Sequence, residues 1–184
     1  MNQVLILTGP PGAGKTSVAL AICERFDRML HVPVDDLRHW VRAGYRHPWA
    51  GDAQAAEQLR MAADGAAAVA RNAVGYRYSV IIDDVAVGAD AEIYRRALGG
   101  IDAEVQLVTL LPSLDRCLER DATRVGASIP DRVRALHQEF TSAIADGRQP
   151  GAILDTTADT NAQMTADRVQ DAIARGLAVL LTNG

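Results

Sequence analysis

The segment G-P-P-G-A-G-K-T at residues 9–16 has the G-x-x-x-x-G-K-T spacing of a phosphate-binding P-loop. Glycine at positions 9 and 14 lets backbone N–H groups turn inward around phosphate oxygens, where side chains would block the approach. Lys15 is then placed to reach the β- and γ-phosphates, and the hydroxyl of Thr16 is placed to bind Mg²⁺. The residues predicted to contact a nucleotide here are Gly9, Gly12, Ala13, Gly14, Lys15, Thr16 and Ser17.

The flanking sequence supplies the context that this loop requires. Residues 4–7 form a short apolar run typical of a buried strand, and residues 17–22 continue with helical spacing. A dinucleotide-binding loop fits less well, because the third glycine of G-x-G-x-x-G would fall on Ser17. The order strand, loop and helix therefore favours the P-loop.

Length and composition limit the classes of function. The 184 residues are enough for one well-buried domain, so we expect a single domain spanning residues 1–184. A net charge of −4 argues against a dedicated nucleic-acid binder on electrostatic grounds. Neither a signal peptide nor a membrane span is predicted, and we expect a cytoplasmic protein. Cys23 and Cys117 lack metal-binding spacing and are expected to be core thiols.

Two acids follow the second predicted strand, which covers residues 29–34. Acids at the carboxyl end of a strand in an open α/β sheet lie where ligands bind. Asp35 is either the N-cap of a helix predicted at residues 37–43 or the base that accepts a proton from an attacking hydroxyl. Asp36 could serve as the cap, which favours Asp35 as the base.

The segment at residues 38–49 concentrates rings and cations in a chain that is only 4% aromatic. It holds both tryptophans, one tyrosine, three arginines and two histidines. We interpret it as a wall that binds the acceptor, the molecule that receives the phosphate, although each residue taken alone could equally pack between helices. The substrate-binding residues predicted overall are Asp35, Arg38, Trp40, Trp49, Asp84 and Arg132.

A third strand is predicted at residues 78–85 and contains two acids near its end. A P-loop site needs an acid at the end of a second strand to help bind the metal ion, and Asp83 is predicted to hold Mg²⁺ directly or through water. The metal ligands expected from sequence are therefore Thr16 and Asp83. An acidic turn after a core strand is the alternative interpretation.

Arginines recur every four residues on a helix predicted to begin after Ser113. Arg116, Arg120 and Arg124 would project from nearly the same face. They either pair with neighbouring acids or, for Arg120 and Arg124, bind nucleotide and stabilise transferred charge. A short lid is predicted at about residues 121–132, and the acceptor region at about residues 35–75.

The remaining segments complete an alternation of strands and helices, which implies parallel pairing. A fourth strand is predicted at residues 104–111, a fifth at 152–157 and a closing helix at 165–181.

Taken together, these residues resemble those of the P-loop kinases. Among these kinases, the sequence is most similar to the chloramphenicol phosphotransferase group. The resemblance rests on residues 9–16, Val34 and Asp35, residues 80–85 with Gly88, the arginine-bearing lid and residues 154–157. It implies a five-stranded parallel sheet of strand order 2-3-1-4-5, ATP as phosphoryl donor and Asp35 as base. It also places the turn containing Thr156 beside the adenine. The acceptor region does not match residue for residue, so antibiotic specificity does not carry over.

The function expected from sequence is an ATP- and Mg²⁺-dependent kinase acting on a hydroxyl of a small molecule, with Lys15, Asp35, Arg120 and Arg124 as catalytic residues. Two alternatives remain open. One is a kinase of the zeta-toxin or polynucleotide type, and the other is a nucleotide-binding regulatory protein without catalysis. The absence of an N-K-x-D motif argues against a GTPase.

Overall fold

The structure is a computed structural model that describes residues 2–123 and 128–182. Strands and helices alternate along most of this part of the chain. In chain order they are β1 (Gln3–Thr8), α1 (Lys15–Cys23), β2 (Met29–Pro33), α2 (Val34–His39), α3 (Ala53–Gly75), β3 (Ser79–Asp83), α4 (Asp90–Ala97), β4 (Glu104–Leu110), α5 (Leu114–Thr123), α6 (Pro130–Ala145), β5 (Ala152–Leu154), α7 (Ala162–Ala174) and β6 (Val179–Leu181).

The sheet has the predicted parallel order, β2-β3-β1-β4-β5, and that prediction is confirmed. Strand β1 lies at its centre, with Leu5 paired to Ile81 on one side and to Gln106 on the other. Because central parallel strands are covered on both faces, their sequences read as continuous apolar runs. This is why β1 and β3 could be recognised from composition alone.

The five predicted parallel strands are present, and a further short strand, β6, pairs antiparallel with the beginning of β4. The closing helix was predicted to reach residue 181, but α7 ends at Ala174. Gly176, at a φ of 71°, lies in the turn that follows the helix. Beyond it Ala178 and Leu180 are buried while Val179 between them is exposed, which is the two-residue period of a strand.

Two apolar layers lie on opposite faces of the sheet. Side chains alternate along β1, so Val4 and Ile6 contribute to one layer while Leu5 and Leu7 contribute to the other. The first layer receives the alanine-rich face of α3, and the second receives α1 and α7. The small side chains of α3 therefore serve close packing against the sheet.

The helix after β2 begins earlier than predicted. It covers Val34–His39 instead of residues 37–43, and Pro33 is its N-cap residue. Asp35 and Asp36 lie in its first turn, where carboxylates interact favourably with the helix dipole. Neither acid is an N-cap.

Candidate active site

A cleft of about 1350 Å³ opens at the carboxyl ends of β1, β2 and β3. The P-loop lines one part of it, and the segment after β2 lines another. In open parallel sheets this edge is where ligands bind, because the connecting loops leave a crevice there. The sequence predicted that the P-loop and Asp35 would meet at this edge.

The P-loop packs so closely on its surroundings that glycine is required at two positions. A Cβ atom on Gly9 would lie 2.2 Å from the carbonyl oxygen of Leu110, and one on Gly12 would lie 2.3 Å from that of Cys117. Both residues have positive φ, at 147° and 80°. The loop is therefore held against β4 and α5 by contacts that no side chain would permit.

The amino end of α1 is left open for an anion. Its N-cap residue, Gly14, provides no side-chain hydrogen bond, and the first turn contains no acid. The unpaired N–H groups and the positive end of the helix dipole suit a phosphate group. Lys15 Nζ donates to the carbonyl oxygens of Gly9 and Pro10, at 3.1 and 3.4 Å, and thus lies over the same loop.

Thr16 and Asp83, the two predicted metal ligands, are in contact. The Thr16 hydroxyl donates to Asp83 Oδ2 at 2.7 Å, and His31 Nε2 lies 3.4 Å from the same oxygen. Burial of Asp83 would by itself raise its pKa, but the nearby His31 ring, the charge of Lys15 and the Thr16 hydroxyl together lower it. Asp83 is thereby kept ionised, as a metal ligand must be.

These residues fit Mg²⁺. Across residues 2–123 and 128–182, no group of three or more His, Cys, Asp or Glu side chains could hold a metal ion by itself. Mg²⁺ usually binds one or two protein groups and fills its remaining positions with water and substrate phosphate. Thr16 and Asp83 next to a phosphate loop match that arrangement.

Asp35 is the exposed end of a buried chain of polar groups. Its carboxylate accepts from Arg38 Nη1 at 2.7 Å, and Arg38 Nη2 donates to Asp84 at 2.6 Å. The Tyr94 hydroxyl donates to the other oxygen of Asp84, also at 2.6 Å. The side chain of Asp35 is 73% exposed, whereas those of Arg38 and Asp84 are 8% and 4% exposed. The buried members therefore fix the position of the exposed carboxylate.

This arrangement keeps Arg38 charged. Burial of the guanidinium opposes ionisation, but the carboxylates of Asp84 and Asp35 raise the pKa of Arg38 above its usual value. Burial, followed by the charge of Asp84, raises the pKa of Tyr94, which stays protonated and continues to donate. Asp84 thus contacts Arg38 and Tyr94, and it lies behind the cleft wall instead of facing a substrate.

A row of rings lines another part of the cleft. His39 lies 5.8 Å from Tyr45, Tyr45 is edge-on to His47 at 5.3 Å, and His47 stacks on Trp49 at 4.7 Å between ring centroids. The Arg132 guanidinium of α6 lies 5.6 Å from the Trp49 ring. We call these four rings the aromatic row.

Trp40 is not part of that row. The residue is 69% exposed and lies outside the cleft lining, although the sequence analysis grouped it with Trp49. The structure thus brings Arg38, Trp49 and Arg132 to the cleft and leaves Trp40 apart.

The arginines of α5 have different surroundings. Arg120 Nη1 donates to the carbonyl oxygens of Gly12 and Ala13 at 3.3 and 3.2 Å, so this cation borders the P-loop. Arg116 instead pairs with Glu119 at the surface. Arg124 lies outside the described residues, and its predicted catalytic role stays a prediction.

The described part of the predicted lid is fixed at its start and end. Asp121 Oδ2 accepts from the Ser128 hydroxyl at 2.6 Å and from the Ile129 backbone N–H at 2.8 Å. This one carboxylate connects α5 to the beginning of α6. The placement of Arg132 in the cleft depends on that junction, since α6 starts at Pro130.

Thr156, predicted beside the adenine, is buried and does not line the cleft. Its hydroxyl oxygen is buried and has no hydrogen-bond partner among the described residues. The neighbouring lining comes instead from the start of α7, with Asn161, Ala162 and Thr165. Ser17 lines the cleft as predicted.

Several contributors to the site were not identified from sequence, among them His31 and Tyr94. His31 could have been noticed as an isolated polar residue within an apolar strand that leads to Asp35. Tyr94 carried no such signal, because a tyrosine at helical spacing is usually a core residue. Its contact with Asp84 depends on the packing of α4 against the sheet.

No helix within the described ranges has both the length and the apolar character needed to cross a bilayer.

A P-loop between β1 and α1 and a parallel sheet of order β2-β3-β1-β4-β5 define the class of protein. This architecture is that of the P-loop kinases, as the sequence predicted. A family model described as an AAA domain matches residues 4–146, and the chain belongs to this family. No curated protein matches the sequence.

Solved structures with a similar fold include small-molecule kinases. A tunicamycin resistance protein from Deinococcus radiodurans is 20% identical with a TM-score of 0.68, and the match covers 99% of this chain and 100% of that one. Shikimate kinase from Acinetobacter baumannii, solved with shikimate, is 18% identical with a TM-score of 0.61 over 96% and 94% of the two chains. The APS kinase of Mycobacterium tuberculosis, solved with AMPPNP and APS, is 18% identical with a TM-score of 0.62 over 94% and 98%. At these identities the likeness establishes the fold alone.

Proposed function

We propose that this P-loop kinase transfers the γ-phosphate of ATP to a hydroxyl group of a small molecule, with Asp35 as the base. The observation that carries the proposal is that one cleft contains both the P-loop and a carboxylate held by a buried guanidinium. Phosphoryl transfer requires little covalent chemistry from the protein and depends on positioning and charge.

The nucleotide side of the cleft supports ATP as the donor. The open amino end of α1, the Lys15 ammonium group and Arg120 beside the loop supply donors and positive charge for a triphosphate. The similar APS kinase was solved with AMPPNP, an ATP analogue. When bound, Mg²⁺ would neutralise phosphate charge, and Thr16 and Asp83 are the residues that would hold it.

The acceptor side supports a hydroxyl as the nucleophile. The acceptor O–H bond breaks as its proton passes to a carboxylate oxygen of Asp35. The acceptor oxygen forms a bond to the γ-phosphorus, and the bond from that phosphorus to the β–γ bridging oxygen breaks, which releases ADP. Lys15 and the loop N–H groups hold the negative charge on the phosphate oxygens during this step.

The polynucleotide alternative is less well supported by the charges in the cleft. A nucleic-acid end would bring several phosphates into an acceptor region that contains Asp35 and Asp36 within a chain of net charge −4. Phosphate binders usually present unpaired arginine and lysine instead. We therefore assign a small-molecule acceptor.

The test separates nucleotide binding from transfer. Calorimetry with Mg²⁺ and AMPPNP is expected to show binding by the wild type and by Asp35→Asn, and a loss of binding in Lys15→Ala. In a screen of hydroxyl compounds with labelled ATP, Asp35→Asn should lower the transfer rate by about 10²-fold or more. Asp27→Asn, a substitution of an exposed acid outside the cleft, is the matched control.

Each proposed role has its own contradicting outcome. Nucleotide binding that is unchanged in Lys15→Ala would exclude the P-loop assignment. Transfer that is unchanged in Asp35→Asn would exclude Asp35 as the base. Tight AMPPNP binding without transfer to any compound would favour a regulatory nucleotide-binding protein.

A further inference from the structure

The charged groups in the acceptor part of the cleft differ from those expected for an anionic acceptor. Two guanidinium groups line it, and both already contact carboxylates. Arg38 lies between Asp35 and Asp84 at 2.7 and 2.6 Å, and Arg132 lies 3.5 Å from Glu139. Each cation is therefore at least partly neutralised by a neighbouring carboxylate.

Carboxylates outnumber these cations. Four acidic side chains line the acceptor part of the cleft, Asp35, Asp36, Asp90 and Glu139. Among the described residues, Asp36 and Asp90 form no ion pair. Asp90 is the first residue of α4, where the helix dipole favours a negative charge, although burial raises the pKa of this carboxyl group. With the histidines neutral, the four carboxylates exceed the two guanidinium groups, and the acceptor surface carries net negative charge.

The same surface presents flat rings. Tyr45, His47 and Trp49 of the aromatic row all line the cleft, and Trp49 is half exposed. Exposed aromatic faces bind planar or ring-shaped ligands, and their negative faces also attract cations. The rings and the carboxylates thus favour the same kind of ligand.

We infer that the acceptor is a ring-bearing alcohol that carries a protonated amino group. This inference rests on the proposed function for the identity of the reacting hydroxyl. The amino group would lie among the carboxylates of Asp36, Asp90 and Glu139, and the ring would lie against Tyr45, His47 and Trp49. An acceptor with a carboxylate, sulfate or phosphate group is disfavoured by the same residues.

A series of three small alcohols that differ in charge tests this inference directly. 2-Amino-1-phenylethanol, 1-phenyl-1,2-ethanediol and mandelate share a phenyl ring and a benzylic hydroxyl, and they are respectively cationic, neutral and anionic near pH 7. Their binding to the full chain with AMPPNP and Mg²⁺ is measured by ligand-observed NMR at millimolar concentrations. The cation should bind best and mandelate worst, with a difference of at least about fivefold, the effect of one charge pair at about 4 Å in water.

Variants and salt identify the source of the preference. Asp36→Asn combined with Asp90→Asn should reduce the preference for the cation, whereas Asp27→Asn should leave it unchanged. At about 1 M salt, where the screening length is about 3 Å, the preference should shrink while binding of the neutral diol persists. Trp49→Leu should weaken binding of all three compounds, and Trp49→Phe should weaken it less.

Equal binding of the three compounds, tighter binding of mandelate or binding of none of them would overturn the inference. These outcomes are distinct from failure of the proposed function, because the binding order is measured without transfer. If no phosphoryl transfer occurs but the cation still binds best, the charge assignment stands and the kinase assignment fails.

Discussion

At the scale of single residues, the two carboxylates that contact Arg38 have different environments and should have different roles. Asp84 is buried and anchors the guanidinium, whereas Asp35 is exposed to the cleft. Removing one partner of a buried ion pair leaves the other charge uncompensated, which costs far more than losing an exposed pair.

We predict that Asp84→Ala lowers the free energy of unfolding by about 3 kcal/mol. Asp35→Asn should lower it by less than about 1 kcal/mol, because that carboxylate is solvated. Tyr94→Phe should lie between them at about 1 kcal/mol through the loss of one buried hydrogen bond. Urea denaturation of the three variants measures these values, and equal costs for Asp84→Ala and Asp35→Asn would contradict the anchoring role of Asp84.

Cys117 gives a prediction on pH. Burial raises the pKa of this thiol to about 11, although the charges of Arg120 and Lys15 act in the opposite direction. Because the pKa is higher in the folded state than in the unfolded state, the thiol's contribution to stability is complete below about pH 9 and is lost as pH rises towards about 11. The stability of wild type should therefore fall more steeply than that of Cys117→Ala over this range. Urea titrations at several alkaline pH values measure the two slopes, and parallel slopes would contradict the prediction.

At the scale of elements, the P-loop and α5 depend on each other through one close contact. Gly12 lies against the Cys117 carbonyl group. Gly51 also has a positive φ, but no atom of the described residues lies within 4 Å of the position that its Cβ would occupy. An alanine at Gly51 would therefore meet only backbone strain, whereas an alanine at Gly12 would meet both backbone strain and a steric clash.

We predict that Gly51→Ala costs about 1 kcal/mol from the left-handed conformation alone. Gly12→Ala should cost more than this and should also abolish AMPPNP binding, because the loop must move away from α5. Denaturation and calorimetry on the two variants provide the comparison. Gly12→Ala that binds normally would show that the loop can shift without loss of its phosphate site.

Which elements could be predicted from sequence depended on whether their signal was local. The P-loop was identified from the spacing of its glycines, and β1 and β3 were identified from unbroken apolar runs. Both signals lie within a few consecutive residues. Strand β6 was missed because its three residues follow a helix, and only the pairing with β4 gives them strand geometry. The helix after β2 was placed too late because Asp35 and Asp36 were read as candidate caps.

The residues of the site likewise divide into those with a local sequence signal and those whose position depends on tertiary packing. Contact between Thr16 and Asp83 was foreseen because both belong to motifs with fixed positions on the sheet. The burial of Asp84, the separation of Trp40 from Trp49 and the contribution of Tyr94 depend on side-chain directions that arise only when distant elements pack together.

At the scale of the whole molecule, nucleotide binding should stabilise the entire fold. A ligand that binds only the native state at 100 times its Kd raises the free energy of unfolding by about 2.7 kcal/mol. For a chain of this size that corresponds to a rise in Tm of about 5 to 10 °C. We expect this shift with ATP and Mg²⁺ and its absence in Lys15→Ala, measured by differential scanning calorimetry. A similar shift in both proteins would mean that the nucleotide binds elsewhere.

The pairing of β6 with the start of β4 also decides how the protein can be attached to a surface. Val105 and Gln106, its partners, lie at the amino ends of the strands, whereas the cleft opens at the carboxyl ends. A tether joined after Leu181 would therefore leave from the opposite pole of the sheet. Immobilised in this orientation on a sensor chip, the protein would present its ligand entrance to the flowing solution.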